Sequence, residues 1–441
     1  MPAKKINRIS GMTVRGFKSI YDEQHIEIAP LTILAGANSS GKSSIMQPLL
    51  LLKQTLEEPG DPGALLLDGP NVRFTRAEQI LSYAQGRNKN SEFLIGLDMF
   101  PSKESVEVLF RASEGKGFEI GSMKNKSETM GQGIISPGMS NDSIEKSLPE
   151  GYRILRTHLA GSEFADLKWI ARQERCFLAV ELVSGNPETK FRGVYFDPSD
   201  LTSLIKNIIH LPGLRGNPQR NYPRRAAGPN FPGTFDRYVA SVIAEWQDTN
   251  DNKLTILAKA LETLGLTWNV KVQRVDDTQV ELKVGRLPHP KKGGAHDLVS
   301  VADVGFGMSQ SLPAVVALIV ARPGQLVYLE QPEIHLHPLA QRKLAVIVAE
   351  AIKRGVIAVI ETHSALFLRE VQTLVAKGEL STDQVKLHWF QRDKNGCTTI
   401  KTADLDENGA YGDWPEDFDI TELQAEQEYL DIVEARNAGK K

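Results

Sequence analysis

The sequence predicts an α/β fold with a mixed sheet, an antiparallel β lobe and a helical insertion. Three observations predict it. The apolar strand LTILAG runs into a Gly–Ser turn and then a helical stretch. Two more apolar segments, QLVYLE and VIAVIET, end in polar residues and lie beside helical stretches, as the strands of α/β folds do. The segments SEFLIGLDMF and SVEVLFRAS alternate apolar and polar residues, which is typical of paired antiparallel strands.

Composition and charge limit the class of protein. The 441 residues include 52 Lys plus Arg and 55 Asp plus Glu, which gives a formal net charge of −3. A charge so near zero excludes a histone-like or tail-driven nucleic-acid binder. Only Cys176 and Cys397 are cysteines, so disulfides do not support the fold. The first residues lack an apolar signal core, and the apolar runs are too short for a membrane span. We therefore expect a cytoplasmic protein without a membrane partner.

The N-terminal lobe is expected to span residues 1–118. Residues 12–20 and 25–35 are interpreted as strands, and the segment SIMQPLLLLKQTLEE has a helical period. The alternating segments near 90–118 complete this lobe. Residues 119–150 are rich in Gly, Ser, Asn and Lys and poor in large apolar residues, which predicts a mobile loop or a surface excursion.

Residues 119–298 are expected to form an insertion. It contains the strand-like segments CFLAVELV and FRGVYF, a helical stretch over 235–264 and a hairpin formed by LTWNVKVQRV and TQVELKVGRL. A loop rich in Pro, Gly and Arg, HLPGLRGNPQRNYPRRAAGPNFPG, precedes the helical stretch. Residues 299–403 form a second lobe, with helices at 299–320 and 338–354, and residues 404–441 an acidic tail. No heptad run is long enough for a coiled coil.

The strongest motif is a phosphate-binding loop, GANSSGKS, between an apolar strand and a helix. Gly36 and Gly41 permit backbone angles that turn N–H groups toward a phosphate, and the helix N-terminus adds its positive dipole end. Lys42 would reach the β- and γ-phosphates and Ser43 would ligate Mg²⁺, so ATP and Mg²⁺ are the expected cofactors. The expected nucleotide contacts in this segment are Gly36, Asn38, Ser39, Ser40, Gly41, Lys42, Ser43 and Ser44.

A second strand end supplies candidate carboxylates. Glu330 closes the strand of residues 326–329 at the carboxyl edge of the sheet, where nucleotide chemistry in α/β folds takes place. Glu330 is the candidate Mg²⁺ ligand, through water, and Glu333 is a second candidate carboxylate. His335 and His337 would suggest a metal site with Glu333. Since His-X-His is a poor zinc spacing, we favour the interpretation that both histidines cap or pack the following helix.

A third strand end places His363 at the same edge of the sheet, within VIAVIETHSALFL. A histidine there can donate a hydrogen bond to the γ-phosphate or position the attacking water. Alone it would indicate a structural histidine. Together with the other two motifs, it is expected to act in catalysis.

These three strand-end motifs, in this order, resemble the ABC-type ATPase heads of the SMC and OLD (overcoming lysogenisation defect) group. A narrower resemblance is to standalone bacterial ATPases with a C-terminal domain of unknown function, DUF3696. It is carried by GANSSGKSSIMQPLLLLKQT, HLPGLRGNPQRNY, DVGFGMSQSLPAVVAL, LEQPEIHLHP, ETHS and DWPEDFD. The resemblance covers most of the chain except residues 119–150, and it implies an ABC-type P-loop head without a coiled coil.

The resemblance also implies a signature loop, which in this group contacts the γ-phosphate bound by the opposite subunit. Residues 303–310, DVGFGMSQ, occupy its place, so the implied contacts are Gly305, Gly307, Ser309 and Gln310. Gly305 takes the usual serine position and has no hydroxyl, whereas Gly307, Ser309 and the helix N-terminus could supply donors. The chemistry would then need two heads face to face.

The second strand end departs from the family pattern. Many ABC heads have Asp-Glu-Pro there, but this chain has Glu330-Gln331-Pro332-Glu333, and Gln331 cannot take the proton at the usual base position. Two alternatives stay open: Glu333 or Glu330 activates water, or ATP is hydrolysed slowly and acts mainly as a clamp. We expect a slow ATPase. The glutamine that contacts Mg²⁺ between the lobes is unassigned, and Gln79 is a weak candidate.

Chain length limits which further domains could accompany the ATPase head. Roughly 260 residues without heptads separate the phosphate and signature loops, which excludes DNA tethering by coiled-coil arms. Only 78 residues follow His363, too few for a TOPRIM nuclease domain. Relatives of this group are paired with nucleases in anti-phage systems, among them PARIS and Septu.

The resemblance therefore implies an ATPase subunit of a bacterial anti-phage defence complex. It would assemble head to head and into a higher homo-oligomer such as a hexamer. It would hold a separately encoded TOPRIM- or HNH-type effector nuclease, and release or activate it on sensing a phage component.

Two competing interpretations remain. The first is a DNA-repair or chromosome-maintenance ATPase that binds DNA directly through the Arg-rich loop of residues 215–225 and through Lys291 and Lys292. Those basic residues would otherwise solvate the surface or pair with the acidic tail. The second is a structural scaffold that binds ATP without turnover.

Overall fold

The structure is a computed structural model of the 441-residue chain. It describes residues 7–115, 117–128, 131–152, 167–184, 192–225, 228–287 and 297–412, together with residues 427 and 430. The strands in these ranges are β1 (Arg8–Arg15), β2 (Gln24–Glu27), β3 (Leu31–Gly36), β4 (Glu92–Phe100), β5 (Ser105–Ser113), β6 (Gly117–Ser127), β7 (Gly131–Ile135), β8 (Leu167–Glu174), β9 (Phe177–Ser184), β10 (Arg192–Phe196), β11 (Ile209–Leu211), β12 (Tyr222–Pro223), β13 (Val270–Arg274), β14 (Gln279–Gly285), β15 (Leu298–Ser300), β16 (Leu326–Glu330), β17 (Ile357–Glu361), β18 (Val385–Arg392) and β19 (Thr398–Ala403). The helices are α1 (Lys42–Glu57), α2 (Asn141–Ser147), α3 (Ser199–Lys206), α4 (Val239–Asp248), α5 (Lys253–Thr263), α6 (Phe306–Val320), α7 (Pro338–Lys353) and α8 (Ala365–Ala376).

A six-stranded sheet in the order β11-β16-β17-β3-β18-β19 forms the centre of the protein. Its first five strands are parallel, and β19 runs antiparallel to β18. Alternate residues of β3 enter different cores: Ile33 packs with the α6–α8 side and Leu34 with the α1 side. Because both faces are covered, the central strands are continuous apolar runs. The predicted α/β fold with a mixed sheet is confirmed.

The N-terminal lobe contains a second sheet, ordered β2-β1-β4-β5-β6-β7 and antiparallel throughout. This antiparallel sheet packs on α1, and the two share the hydrophobic core that also contains Leu34 of β3. The predicted pairing of SEFLIGLDMF with SVEVLFRAS is confirmed as β4 with β5. The predicted strand over 25–35 is two strands, because Pro30 has no N–H to continue a ladder. β2 joins the antiparallel sheet and β3 the central sheet.

The prediction of a loop over residues 119–150 is wrong. This segment supplies most of β6, together with β7 and α2, and β6 pairs with β5 along its whole length. Phe118, Ile120 and Met123 are buried while the polar residues between them are more exposed. A register shift between Leu109 and Phe110 interrupts strict alternation, so the strand pattern is masked in the sequence. The predicted lobe boundary at 118/119 falls inside β6.

The middle of the chain carries two smaller sheets, β10-β9-β8 and β12-β14-β13, with β15 paired to β14. The predicted hairpin is β13 with β14. The predicted helix over 235–264 is two helices, α4 and α5, separated by a turn in which Asn250 has a φ of 52°. Within the described part of the chain, no helix is long and apolar enough to cross a membrane. The tail motif DWPEDFD, Lys291 and Lys292 lie outside the described residues.

A buried histidine makes the fold's stability depend on pH. His388, on β18, has a fully buried ring whose Nε2 donates to the Glu27 carbonyl at 2.8 Å and whose Nδ1 lies 3.0 Å from Thr402 Oγ1. Burial lowers the pKa of His388 to about 4, and the Glu27 contact only partly opposes it. The unfolded chain takes up this proton near pH 6.5, whereas the folded chain does so only near pH 4.

We therefore expect the free energy of unfolding to fall by about 3 kcal/mol as the pH is lowered from 6.5 to 4, through His388 alone. Urea denaturation at several pH values measures it. His388→Gln has no titrating ring and should show a correspondingly smaller loss over that window. Equal slopes for the two proteins would contradict the assignment.

Candidate nucleotide-binding site

The phosphate-binding loop connects β3 to α1 at the carboxyl edge of the central sheet. Gly36 and Gly41 have φ values of 143° and 102°, which favour glycine. A Cβ at Gly36 would collide with the Phe390 carbonyl, and one at Gly41 with the Thr398 side chain. Both glycines are thus required by conformation and by the close approach of β18 and β19. The predicted strand, loop and helix order is present as expected.

The loop borders a cavity of about 490 Å³ that is lined by residues 36–40, His363 and residues 389–392. Asn38 and Ser39 are exposed at it, whereas Ser40 and Ser44 are buried. The Ser40 Oγ is buried without a hydrogen-bond partner. Loop N–H groups, a helix N-terminus and an unsatisfied hydroxyl beside a cavity suit a polyphosphate, so these residues fit ATP.

Lys42 and Ser43 begin α1 and point toward the sheet edge. Lys42 Nζ donates to the carbonyls of Gly36 and Ala37 at 3.0 and 2.8 Å, so it curls over the loop. Burial lowers the pKa of Lys42, while the charges of Glu361 and Glu333 oppose that shift. Ser43 Oγ lies 3.0 and 2.9 Å from the two carboxylate oxygens of Glu361. A hydroxyl and a carboxylate in contact are oxygen ligands of the kind that Mg²⁺ prefers.

Sequence reasoning missed Glu361. It closes β17 directly opposite Glu330 of β16, since the two parallel strands pair Glu330 with Glu361. Glu361 also accepts a hydrogen bond from Tyr328 Oη at 3.1 Å. Burial raises its pKa, and the nearby Glu330 charge raises it further. The signal was available in the ETHS motif, because a carboxylate ends an apolar strand there as Glu330 does in LVYLE.

Glu330 faces away from Ser43, toward the loop that follows β11. Its Oε1 lies 3.0 Å from His210 Nε2, and its Oε2 accepts the Gly213 N–H at 3.0 Å. Burial raises the pKa of Glu330, but the His210 and Gly213 hydrogen bonds and the Arg215 charge outweigh it, so the pKa lies below its usual value. The carboxylate in contact with Ser43 is therefore Glu361, whereas the prediction that Glu330 binds Mg²⁺ through water stays a prediction.

Glu333 lies in the turn between β16 and α7. Its Oε1 accepts hydrogen bonds from Thr362 Oγ1 at 2.7 Å and from the His363 N–H at 2.9 Å. Its Oε2 is buried and has no partner. Burial raises the pKa of Glu333, and those two hydrogen bonds oppose the shift. Gln331, with a φ of 44°, donates its backbone N–H to the Glu361 carbonyl and so joins the two strand ends.

His363 follows β17 and lines the cavity, as predicted. Burial and the Lys42 charge lower its pKa, while a hydrogen bond to the Gly36 backbone acts in the opposite direction. The lowered pKa favours the neutral imidazole, which lies beside the cavity with its N–H directed at the Gly36 backbone.

The two other histidines of the strand-end motif are structural. His337 is the N-cap of α7, with Nδ1 accepting from the Leu339 N–H at 3.3 Å. The ring of His335 packs 5.9 Å from that of Phe306. The predicted capping is confirmed for His337, whereas His335 packs on α6 and not on the following helix α7. The described ranges contain no group of three or more His, Cys, Asp or Glu that could hold a metal. Mg²⁺ keeps several waters and substrate oxygens, so it does not require such a group.

The signature-like segment surrounds the start of α6. Gly305 is the N-cap of α6, and Phe306 beside it is 52% exposed. Gly307 packs on the His335 carbonyl, and Ser309 Oγ donates to the Phe306 carbonyl at 3.1 Å. Gln310 is different, because it is buried and its Nε2 donates to the Gly216 carbonyl. The structure thus places Gln310 in the interior, against the expectation of a nucleotide contact.

Three arginines of the Arg-rich loop have interaction partners within the chain. Arg220 makes two hydrogen bonds to Asp303, at 2.7 and 3.1 Å, and Arg224 makes one to Asp248 at 2.7 Å. Arg225 stacks over the Tyr238 ring. The sequence offered the acidic tail as a partner of these arginines, whereas the structure pairs Arg220 with Asp303 and Arg224 with Asp248. Gln79 is exposed, and its side chain caps its own turn by accepting from the Thr75 N–H.

Arg215 is not a surface contact at all. It is buried and donates hydrogen bonds to four backbone carbonyls, those of Pro212, Gln310, Glu330 and Gln331. Burial lowers its pKa to about 10, against the opposing charges of Glu333 and Glu330, so it stays charged at neutral pH. Including Arg215 in a nucleic-acid contact surface was wrong.

Comparison with solved structures gives weak matches to SMC heads. An SMC head bound to the C-winged helix domain of ScpA is 13% identical, with 91% of this chain and 98% of that chain covered and a TM-score of 0.47. The SMC head domain from Thermotoga maritima is 11% identical, with 89% and 98% covered and a TM-score of 0.40. An Smc head with an extended coiled coil, bound to the C-terminal domain of ScpA and derived from Pyrococcus furiosus, is 10% identical, with 97% and 100% covered and a TM-score of 0.44.

No curated protein matches the sequence. A family match does exist, over residues 31–369, to the family described as AAA domain, putative AbiEii toxin, Type IV TA system. The matched region runs from β3 into α8 and contains the phosphate-binding loop, Glu330, Glu361 and His363. Since it spans most of the chain, the protein belongs to this AAA-domain family of P-loop ATPases.

Proposed function

We propose that the protein is a slow ATPase subunit of a bacterial anti-phage defence complex. It holds a separately encoded effector nuclease, of the TOPRIM or HNH type, and releases or activates it when a phage component is sensed. The observation that carries the ATPase part is the convergence of Lys42, Ser43, Glu361 and Glu333 at one strand edge. The family description, which names a putative toxin and a toxin–antitoxin system, supports a role in defence.

The residues of the site would carry out three tasks: binding the phosphates, holding Mg²⁺ and activating water. Lys42 and the N–H groups of residues 36–43 would hold the phosphates of ATP, and Ser43 with Glu361 would hold Mg²⁺. Bound Mg²⁺ would neutralise phosphate charge during hydrolysis. Glu330 lies beside Glu361 at the same register and would reach the metal through water.

Glu333 is the proposed base that activates water. A base needs a free lone pair close to the phosphates, and Glu333 Oε2 is buried without a partner while its Oε1 is fixed by Thr362 and His363. Glu330 has both oxygens engaged by His210 and Gly213, so it is a poorer candidate. Gln331 has no basic group. With a base displaced from the usual position, turnover is expected to be slow, and bound ATP would serve mainly as a clamp.

A second copy of the chain is the proposed partner at the ATP site. Large apolar side chains are exposed beside it: Leu214 after β11 is 96% exposed, Phe306 on α6 is 52% and Leu339 on α7 is 59%. Exposed apolar groups on neighbouring loops favour burial against a protein surface. A head-to-head pair would also present Gly305, Gly307 and Ser309 to the nucleotide of the opposite subunit. Larger rings such as a hexamer would be built from such pairs.

Direct DNA binding is the less favoured function. Arg215 is buried, and Arg220 and Arg224 are paired with Asp303 and Asp248. Paired guanidinium groups leave little unopposed positive charge for a phosphate backbone.

Replacing Glu333 tests the assigned base. Glu333→Gln should lower phosphate release by about 100-fold while ATP binding is kept, because the amide fills the same space but cannot take a proton. Lys42→Ala should abolish both binding and release. Steady-state phosphate release and binding of a fluorescent ATP analogue measure the two effects. Glu350→Gln, on the exposed part of α7, is the matched control and should behave as wild type. Unchanged release by Glu333→Gln would rule out Glu333 as the base.

The mass of the ATP-bound particle tests assembly. Glu333→Gln loaded with ATP should elute as a dimer or larger in light scattering, since ATP is bound but not consumed. Adding Phe306→Asp should return the particle to the mass of one chain, because it places a charge in the buried interface. Ile256→Asp, an exposed apolar position on α5, is the control and should leave the mass unchanged. A single-chain mass with ATP bound would contradict the head-to-head pair.

Co-purification tests the effector. The product of the gene adjacent to this one, expressed together with it, should be captured by tagged wild-type protein, and Lys42→Ala should alter that capture because it cannot bind ATP. If no adjacent gene encodes a nuclease, or if its product is never captured, the effector proposal is wrong. The ATPase assignment would still stand on the phosphate-release data.

A further inference from the structure

The segment HLPGLRG, residues 210–216, borders the nucleotide site through its contacts to Glu330. It begins in β11, the edge strand of the central sheet, which runs parallel to β16. The register pairs His210 with Tyr328 and Leu211 with Leu329. The chain after β11 therefore leaves the sheet at the same edge as Glu330, and immediately beside it.

His210 and Gly213 together hold both oxygens of the Glu330 carboxylate. The His210 side chain is fully buried, and its other nitrogen, Nδ1, lies 2.9 Å from Asn71 Nδ2. Asn71 Nδ2 also donates to the Gly233 carbonyl at 3.1 Å, so it is the amide nitrogen that faces His210. His210 Nδ1 must then accept, which leaves the ring proton on Nε2. His210 thus donates its Nε2 hydrogen to Glu330 from a ring with a fixed orientation.

Arg215 holds the backbone at the same place. Its Nη2 donates to the Glu330 carbonyl at 2.7 Å, and its Nη1 donates to the Gln310 carbonyl of α6 at 2.8 Å. A second link to α6 runs from Gln310 Nε2 to the Gly216 carbonyl at 3.3 Å. A buried guanidinium with several donors in one plane joins these groups more rigidly than a lysine would. The start of α6 and the end of β16 are thus connected through residues 210–216.

We propose that residues 210–216 act as a bracket that positions Glu330 and ties its position to α6, with His210 and Arg215 as its positioning residues. The inference rests on the proposed ATPase function. Its consequence is that the signature-like end of α6 and the carboxylate edge of the sheet move as one unit. A second subunit that contacts α6 would thereby act on the metal side of this subunit's own site.

Hydrogen exchange of the nucleotide-free chain tests the link itself. Arg215→Met should speed amide exchange by about tenfold or more in residues 306–311 and 331–336, because both segments lose a hydrogen-bonded anchor. Arg354 offers a matched control, since its guanidinium donates to the carbonyls of Leu318 and Ile319 at the opposite end of α6. Arg354→Met should speed exchange only at that opposite end. Equal exchange of wild type and Arg215→Met near the site would overturn the proposal.

Nucleotide binding and turnover test the positioning. With EDTA, His210→Leu and Arg215→Met should bind a fluorescent ATP analogue within about twofold of wild type, since the phosphate loop is untouched. The gain in affinity on adding Mg²⁺, and kcat, should each fall by about tenfold or more, as for other groups that orient metal ligands. His210→Gln keeps a donor near the Nε2 position and should restore most of both. Arg354→Met should match wild type.

The outcomes separate the two proposals. If His210→Leu and His210→Gln lose Mg²⁺-dependent binding equally, or if Arg354→Met loses it as well, the positioning role is wrong. If Arg215→Met does not fold, the comparison of the two His210 variants decides alone. If wild type and Lys42→Ala release phosphate equally, the ATPase proposal fails, while the exchange comparison still decides whether the bracket exists.

Discussion

Two glutamates at the ends of adjacent parallel strands set the constraint on which the rest of the site depends. Glu330 and Glu361 are paired in register, so their carboxylates leave the sheet side by side in a largely buried place. Two like charges there repel each other, and each loses hydration. The surrounding residues separate them. Glu330 is turned toward His210 and Gly213, and Glu361 is turned toward Ser43 and Tyr328. The two strand ends therefore have different chemistry although their sequences look alike.

The separation of the two carboxylates explains the contacts that several neighbouring residues make. Tyr328, two residues before Glu330 on β16, donates its hydroxyl to Glu361 and stacks its ring on His210. Arg215 supplies positive charge to Glu330 and Glu333 without a direct ion pair, because its donors are used on backbone carbonyls. Lys42 lies on the other side, near Glu361 and Glu333. The negative charge of the three carboxylates is thus partly offset by two cations that are held by main-chain groups.

The sequence predicted the parts of the site that are local. The phosphate loop is determined by glycines, a lysine and a strand–helix context within a few residues, so its position in the fold could be inferred. Glu361 was missed because its role depends on lying beside Glu330 across two strands, and pairing partners are not visible in one strand's pattern. Arg215 was misjudged for the same reason. Its loop composition suggests a basic surface, but its partners Gln310 and Glu330 are about a hundred residues further along the chain. Residues 119–150 were misjudged because polar residues and a bulge hide a strand that is defined by pairing with β5.

The position of Glu333, the proposed base, gives a structural reason for the slow hydrolysis of ATP that we expect. In this chain the residue after the strand end is Gln331, whose backbone N–H bonds the Glu361 carbonyl and whose φ of 44° turns the chain sharply. That turn brings Glu333 back under Thr362 and His363, where one of its oxygens is fixed and the other is free. The Glu333 carboxylate is thereby held by the residues that follow β17 rather than by its own strand, β16. Any motion that separates β17 from the turn after β16 would remove the base from the phosphates while leaving the phosphate loop intact. A site built this way would retain ATP without hydrolysing it, as the proposed nucleotide clamp requires.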